Sequence, residues 1–295
     1  MTKTLKTVLI VSAAAILLGG IIFLIAFAAG GFRTNGLSSA VTQNKLYTES
    51  SDNVINSITV DYENADVSVV FGDALSVSYP ELYTKGGKPI SDIFLSDNGG
   101  NLLIRERILH FKNIGFNATE PKITVTLPRD RALNLNVETD NGDVTLAGAD
   151  LAIGNLIINT DNGEIEVKNL SAAKINLSSD NGSIEVANIS ATDHVKLEVE
   201  NGEIDLDGNV TAARLEAEVE NGDISHERGV INADAVNLSV SVGEIEAKLA
   251  GSQADYTVRV EKGLGSSNIK TAPGGSKRLD IECEIGDIKI LFENN

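Results

Sequence analysis

Apolar and polar residues alternate along most of this chain, and from about residue 58 onward no helical stripe interrupts the pattern. Counting from Gly202, Val195, Leu197 and Val199 stand at −7, −5 and −3 with polar residues between them; around Gly182 the same offsets hold Ile175, Leu177 and Ser179. An apolar residue at every second position marks a strand with one buried face. Beyond the glycine the apolar residues move to +2 and +4, as in Val144 and Leu146, Ile165 and Val167, Ile184 and Val186, Ile204 and Leu206, Ile288 and Ile290. An unbroken strand cannot change parity without turning its core residues outward, so the chain must bend at the switch. The residues there are Asn-Gly, a pair that tolerates the left-handed backbone. Each unit reads as two short strands and a corner.

These corners recur. Asp140-Asn141-Gly142, Asp161-Asn162-Gly163, Asp180-Asn181-Gly182, Glu200-Asn201-Gly202 and Glu220-Asn221-Gly222 are spaced by 21, 19, 20 and 20 residues, and weaker copies centre on Gly243, Gly263 and Gly286, with Val242, Lys262 and Ile285 replacing Asn. A period of this kind belongs to a repeat protein. Either Asn-Gly forms hairpin turns in a meander, or it bends the coils of a stack. The steady period and the single Asn position favour the stack, where amides about 4.8 Å apart can bond one another. The predicted fold is all-β: a single-stack β-solenoid, parallel β-helix-like, of about 20 residues per coil, following one N-terminal transmembrane helix. Asn141, Asn162, Asn181, Asn201 and Asn221 are expected to form a ladder at one inner corner, with about five inward side chains per coil. A second, less regular corner falls near Asn169, Asn188, Gly208-Asn209 and Gly229. Residues 58–128 keep strand alternation with looser spacing and are predicted to cap the repeats of 129–295; Phe292, Glu293 and the terminal asparagines are predicted to close the other end.

The N-terminal segment breaks the alternation. Val8 to Ala29 is 22 residues without a charge, long enough to cross the roughly 30 Å hydrocarbon core as a helix. Lys3 and Lys6 precede it and Arg33 is the only basic residue soon after, which places the N-terminus in the cytoplasm and the remainder outside. The competing reading is a cleaved signal peptide with Ala26-Phe27-Ala28 as the cleavage site, against which the length of the apolar run argues. Residues 30–57, rich in Gly, Ser, Thr and Asn, have the composition of a flexible tether.

Charge narrows the classes of function. The 295 residues carry 24 Lys+Arg against 42 Asp+Glu, a net −18, which disfavours nucleic acid as a partner. One cysteine, Cys283, excludes an internal disulfide framework, and at −3 of the last unit it is expected to be buried and inert. His110, His194 and His226 are too scattered for a recognisable ligand cluster, and no Gly-x-Ser-x-Gly elbow is present. His226 falls at +4, where it is either a polar core group or a local break in the repeat. Gly263-Leu-Gly265 reads as a corner rather than a phosphate loop, and Asp205-Leu-Asp-Gly-Asn209 lacks the spacing of a calcium loop.

The N-terminal apolar segment, the opening strands from Ile58 to Tyr79 around Asn64-Ala65-Asp66-Val67, the strand Ile123 to Pro128 and the Asn-Gly-Asp/Glu-Ile repeats together resemble the bacterial putative-adhesin family of β-strand-repeat proteins, a domain family of unknown function. The resemblance covers about residues 58–290. It implies a β-solenoid, an extracytoplasmic location and, for some members, association with envelope-stress systems; it transfers no catalytic residue.

The expected function is therefore a non-catalytic, membrane-anchored module that binds or scaffolds at the cell envelope, with a cationic peptide or envelope protein as partner. A polysaccharide-active enzyme on a β-helix scaffold is the alternative, but no aromatic residue lies between Phe116 and Tyr256 to stack on sugars. A calcium-responsive surface module is the other. Acids flank the corner in unit after unit, and stacking would align them into ridges in which Glu200, Glu203, Glu220 and Asp223 could attract Ca2+. The bland reading of the same acids is a solvated face.

Overall fold

The computed structural model describes residues 40–50, 52–108 and 121–293. These form eighteen strands in one connected sheet and a single 3-10 turn, Gln253–Asp255. The all-β repeat expectation holds. The segment read as a transmembrane helix lies outside the described residues, among which no helix is long and apolar enough to cross a membrane.

The middle of the stack consists of β8 (Asn134–Asn141), β9 (Val144–Asn162), β10 (Ile165–Asn181), β11 (Ile184–Asn201) and β12 (Ile204–Asn221). Neighbouring units pair in parallel: Ile165 lies opposite both Val144 and Ile184, and Asn181 opposite both Asn162 and Asn201. A hairpin would instead have paired the two sides of each Asn-Gly corner. The corners also hydrogen-bond from coil to coil, Gly182 N–H donating to the Asn201 carbonyl at 3.0 Å. At −3, the Thr139, Thr160 and Ser179 hydroxyls donate to the Ala65, Gly142 and Gly163 carbonyls at 3.1–3.3 Å. Cys283, fully buried at the same offset, touches the Gly243 carbonyl, and burial raises its thiol pKa.

Each coil makes three short runs, where two were expected. In β11 the chain turns at Asn188, whose φ is 51°, and its register with β12 shifts again between Ser190 and His194. Seven apolar side chains consequently face inward: Ile184, Val186, Ile189, Ala191, Val195, Leu197 and Val199. Full burial of a large apolar side chain is worth roughly 1.5–3 kcal/mol, so the third run adds materially to each coil. It was hidden because two inward residues are too few to show a period.

At the ends, spatial order departs from chain order. The pair β2 (Ser57–Asn64) and β3 (Asp66–Gly72) lies between β8/β9 on one side and β6 (Asn101–Ile108) with β7 (Lys122–Pro128) on the other. Outside these, β4 (Ser76–Thr84) pairs antiparallel with β7, and β5 (Ser91–Asn98) antiparallel with β6. Part of the expected tether is ordered: β1 (Ala40–Thr48) runs antiparallel to β4 over nine residue pairs, Ile55 is fully buried, and Glu49 bonds Arg131. A strand solvated on one face and held by backbone hydrogen bonds has the same polar composition as a tether.

The other end is interleaved too. After β13 (Ile224–Ser225), β14 (Ile231–Val242) and β15 (Ile245–Ala250), the strand β16 (Tyr256–Leu264) skips a place. The strand β17 (Lys277–Ile285) fills the gap between β14 and β16, and β18 (Ile288–Glu293) lies on β15. The third weak corner is Gly265, with φ +135° and stacked on Gly286, so Leu264 and not Lys262 occupies the Asn position. Residues 266–275 cover this end together with Phe292, whose ring packs on Tyr256, and Glu293, which pairs with Lys248; the terminal asparagines lie outside the described residues. The Asn268 amide donates to the Ile290 carbonyl and accepts from its N–H, both at 2.8 Å; Ala272 pairs with Val258, and Thr271 Oγ1 accepts from Val260 N–H at 2.9 Å. Side chains thus occupy edge groups that would otherwise recruit another strand.

Candidate binding face

The asparagines align at an exposed corner, not an inner one. Asn141 donates to Asn64, Asn162 to Asn141, Asn201 to Asn181 and Asn221 to Asn201, at 3.1–3.3 Å between amides. Asn141, Asn162, Asn181 and Asn201 also donate to the carbonyl of the residue just before the neighbouring asparagine, as Asn181 does to Asp161 at 3.3 Å. Asn64 extends the ladder into the cap. Because the amides are solvated, each bond contributes about 1 kcal/mol or less. The ladder ends where Val242, Ile285 and Leu264 succeed Asn221 in the same register, all three exposed.

The acids beside the corner divide by length. A short Asp at +1 reaches the next coil: Asp66, Asp143 and Asp223 accept from the N–H groups of Asp143, Glu164 and Glu244 at 3.1, 2.9 and 2.7 Å. Asp287 accepts from Ser266 N–H and Oγ–H, which hold its carboxyl below the usual range. These carboxylates therefore have a structural task. Crowding shows elsewhere: burial, then neighbouring Asp161 and Asp61, raise the pKa of Asp140, while burial and Asp143 raise that of Glu164. Glu200, Glu203, Glu220 and Asp223 line this exposed edge, with Asp223 engaged by Glu244 N–H. Among the described residues no group of three or more His, Cys, Asp or Glu is placed to hold a metal ion.

The remaining candidates resolve into structure. Asp207 holds Arg228 and Asp205 accepts from Ser225, so the Asp205–Asn209 stretch is a second corner. Asn188 there donates to Asn169 and its oxygen accepts from Asn209 N–H. His226 is buried and also marks a break in the repeat; its Nε2 lies 3.1 Å from the Gly208 carbonyl, and burial lowers its pKa. His194 Nε2 lies 2.8 Å from Asn176 Oδ1. His110 lies outside the described residues.

Parallel register also orders the outer flank formed by the strands that lead into the corners. Lys174, His194, Arg214, Ala235 and Arg278 occupy one position in successive strands, a mostly basic column. Four residues further along, Glu198, Glu218, Ser239, Glu282 and Glu261 form an acidic one. On β14 the small Ala235 and the exposed Asn237 lie between the long side chains of β12 and β17 and leave an open trough of about 310 Å³. Arg278 pairs with Asp280 and Arg259 with Glu261. Among the described residues Arg214, Glu216 and Glu282, which also line the trough, have no ion-pair partner. A second hollow, of about 240 Å³, is lined by Asp180, Glu198, Glu200, Glu218 and Glu220. The alternating charges were readable in the sequence, but the trough was not, because β17 follows β14 in space and not in the chain.

Residues 55–291 match the Toastrack DUF4097 family. The chain belongs to this family. The Toastrack region covers every coil described above. Among solved structures, a putative adhesin from Parabacteroides distasonis is 14% identical over 84% of this chain and 97% of its own, with a TM-score of 0.54. A putative adhesin from Bacteroides fragilis is 17% identical over 85% and 97%, with a TM-score of 0.49. At these identities the likeness is one of fold. No curated protein matches the chain.

Proposed function

We propose that this Toastrack chain is a non-catalytic binding module, held outside the cytoplasmic membrane by the apolar segment 8–29, and that it engages an envelope peptide or protein through the outer flank of its coil stack. The trough over β14 carries the reading: it is open, and Arg214 and Glu216 on β12 face Arg278 and Glu282 on β17 across it. Such a surface offers rows of paired and unpaired charge to an extended partner.

Charge distribution supports the orientation. Residues 40–131 hold 9 Lys+Arg against 12 Asp+Glu, whereas residues 132–295 hold 12 against 30. An anionic membrane surface repels the acidic stack and tolerates the nearly neutral cap beside the anchor. Protease added to intact protoplasts is expected to digest the repeats while residues 1–29 remain with the membrane. Protected repeats would overturn the location, a mature N-terminus near residue 29 the anchor, and product release from envelope glycans or peptides the non-catalytic assignment.

A further inference from the structure

We propose that the trough over β14 binds an extended peptide that carries a carboxylate at one end and an ammonium group a few residues away; the inference rests on the binding-module reading and specifies its partner. Ala235, Asn237 and Ser239 sit at every second residue of β14, and the walls follow the same pitch: Arg214, Glu216 and Glu218 on β12, Arg278, Asp280 and Glu282 on β17. Both walls are cationic at the Ala235 end and anionic at the Ser239 end. The trough therefore has a direction.

Three observations select the ligand. Arg214 and Arg278 flank Ala235 from strands two places apart, roughly 9.6 Å between backbones, a gap in which two long guanidinium side chains can close on one carboxylate. Arg278 is already paired with Asp280, so Arg214 is the cation left to bind. Among the described residues neither Glu282 nor Glu216 has an ion-pair partner, although Lys196 stands beside Glu216 in register, and the two acids lie on opposite walls of the same trough with the exposed Asn237 amide on the floor between them. A purely anionic ligand would meet Glu216 and Glu282, and a purely cationic one Arg214 and Arg278. Only a ligand with both charges in the right order satisfies the two ends. A peptide lying along β14 at about 3.3 Å per residue matches the pitch of the lining rows, which places its ammonium two to four residues from its carboxylate.

The test is calorimetric titration of the detergent-solubilised full chain with acetyl-Lys-Ala-Ala-Ala bearing a free C-terminal carboxylate. Two control peptides remove one charge each: the C-terminal amide, and the analogue with norleucine in place of lysine. Each control is expected to bind about 2- to 5-fold more weakly, since one lost ion pair at a shallow, solvated site is of that order. Arg214→Gln should abolish the preference for the free carboxylate and Glu282→Gln the preference for lysine; both side chains are solvent-facing and leave the core intact. Equal binding of either control, an unchanged preference in both variants, competition by inorganic phosphate as strong as by peptide, or no heat with peptide at about 10 mM would each overturn the proposal. None of these results moves the protease accessibility of the repeats, so the binding-module reading fails or stands separately.

Discussion

In the middle of the stack each coil lies beside its neighbours in the chain, whereas at both ends a coil has been displaced. β9, β10, β11 and β12 follow one another in space as in sequence. The opening pair β2/β3 and the closing pair β17/β18, by contrast, are enclosed by segments from further inside the chain. The physical gain lies in the edges. A simple stack would make its first and last coils outermost, each with an open ladder. Interleaving sandwiches those coils between partners and gives the outermost places to β5, β1 and β16. Of these, β5 is a hairpin arm, and β16 is covered by the bonds from Thr271 and Ala272.

The displaced order is testable as an all-or-none result. With Cys283 replaced by serine, Ser239→Cys and Glu282→Cys should form a disulfide on mild oxidation, because these residues are register partners on adjacent strands whose spacing falls within disulfide reach. Ser239→Cys with Glu261→Cys should not, because β17 separates them. A stack in chain order would reverse the two outcomes, as read by non-reducing electrophoresis.

Next in size is the contrast between stacked and hairpin glycines. A Cβ on Gly222 would fall 1.7 Å from the Gly202 carbonyl oxygen at φ +140°, while one on Gly87, at φ +78°, would meet nothing within 4 Å. Gly222→Ala is expected to cost about 3–5 kcal/mol and Gly87→Ala about 1 kcal/mol, measured by denaturant unfolding. Equal losses would mean that local conformation, not the contact between coils, sets the requirement for glycine.

The smallest contrast is in pH dependence, where cap and stack should slope in opposite directions. Glu106, on the inward side of β6, has its pKa raised to about 6 by burial, against the hydrogen bond from Ser91. The folded state therefore binds a proton more tightly than the unfolded chain, and this site gains stability as pH falls from about 6 towards 4.5, by about 2 kcal/mol. His226 is the reverse case. Burial lowers its pKa, so below the unfolded value of 6.5 the unfolded chain takes up a proton that the folded state refuses, and stability is lost. Melting curves from pH 7.5 to 4.5 should show Glu106→Gln removing the first contribution and His226→Leu the second. A difference curve that is flat in either variant would show that the corresponding group does not titrate in this way.

Much of a single coil is legible in its residues. The parity switch at Asn-Gly located the corners, the single Asn position gave the ladder its register, and Cys283 at −3 was expected to be buried. Three features were not legible for local reasons. Ile189 and Ala191 form a run too short to show a period, β1 reads compositionally as a linker, and the choice between Gly263 and Gly265 turns on which neighbour supplies the register. The acids beside the corner were seen as a ridge, but only the hydrogen bonds show that Asp143 and Asp223 tie one coil to the next.

The sequence by itself determined what happens inside a unit: where the chain bends at Asn-Gly, which side chains of the two long runs beside that corner face inward, and how far apart the corners fall. Those properties depend on backbone φ and on alternation over a few residues, and both are written locally. Only the tertiary structure decided which unit lies beside which. Parallel coils present nearly the same ladder of donors and acceptors to any neighbour, so the local pattern is indifferent to their order, and closure of the two ends resolves it. That choice brings Arg278 alongside Ala235 and across from Arg214, 64 residues earlier in the chain, and so creates the trough.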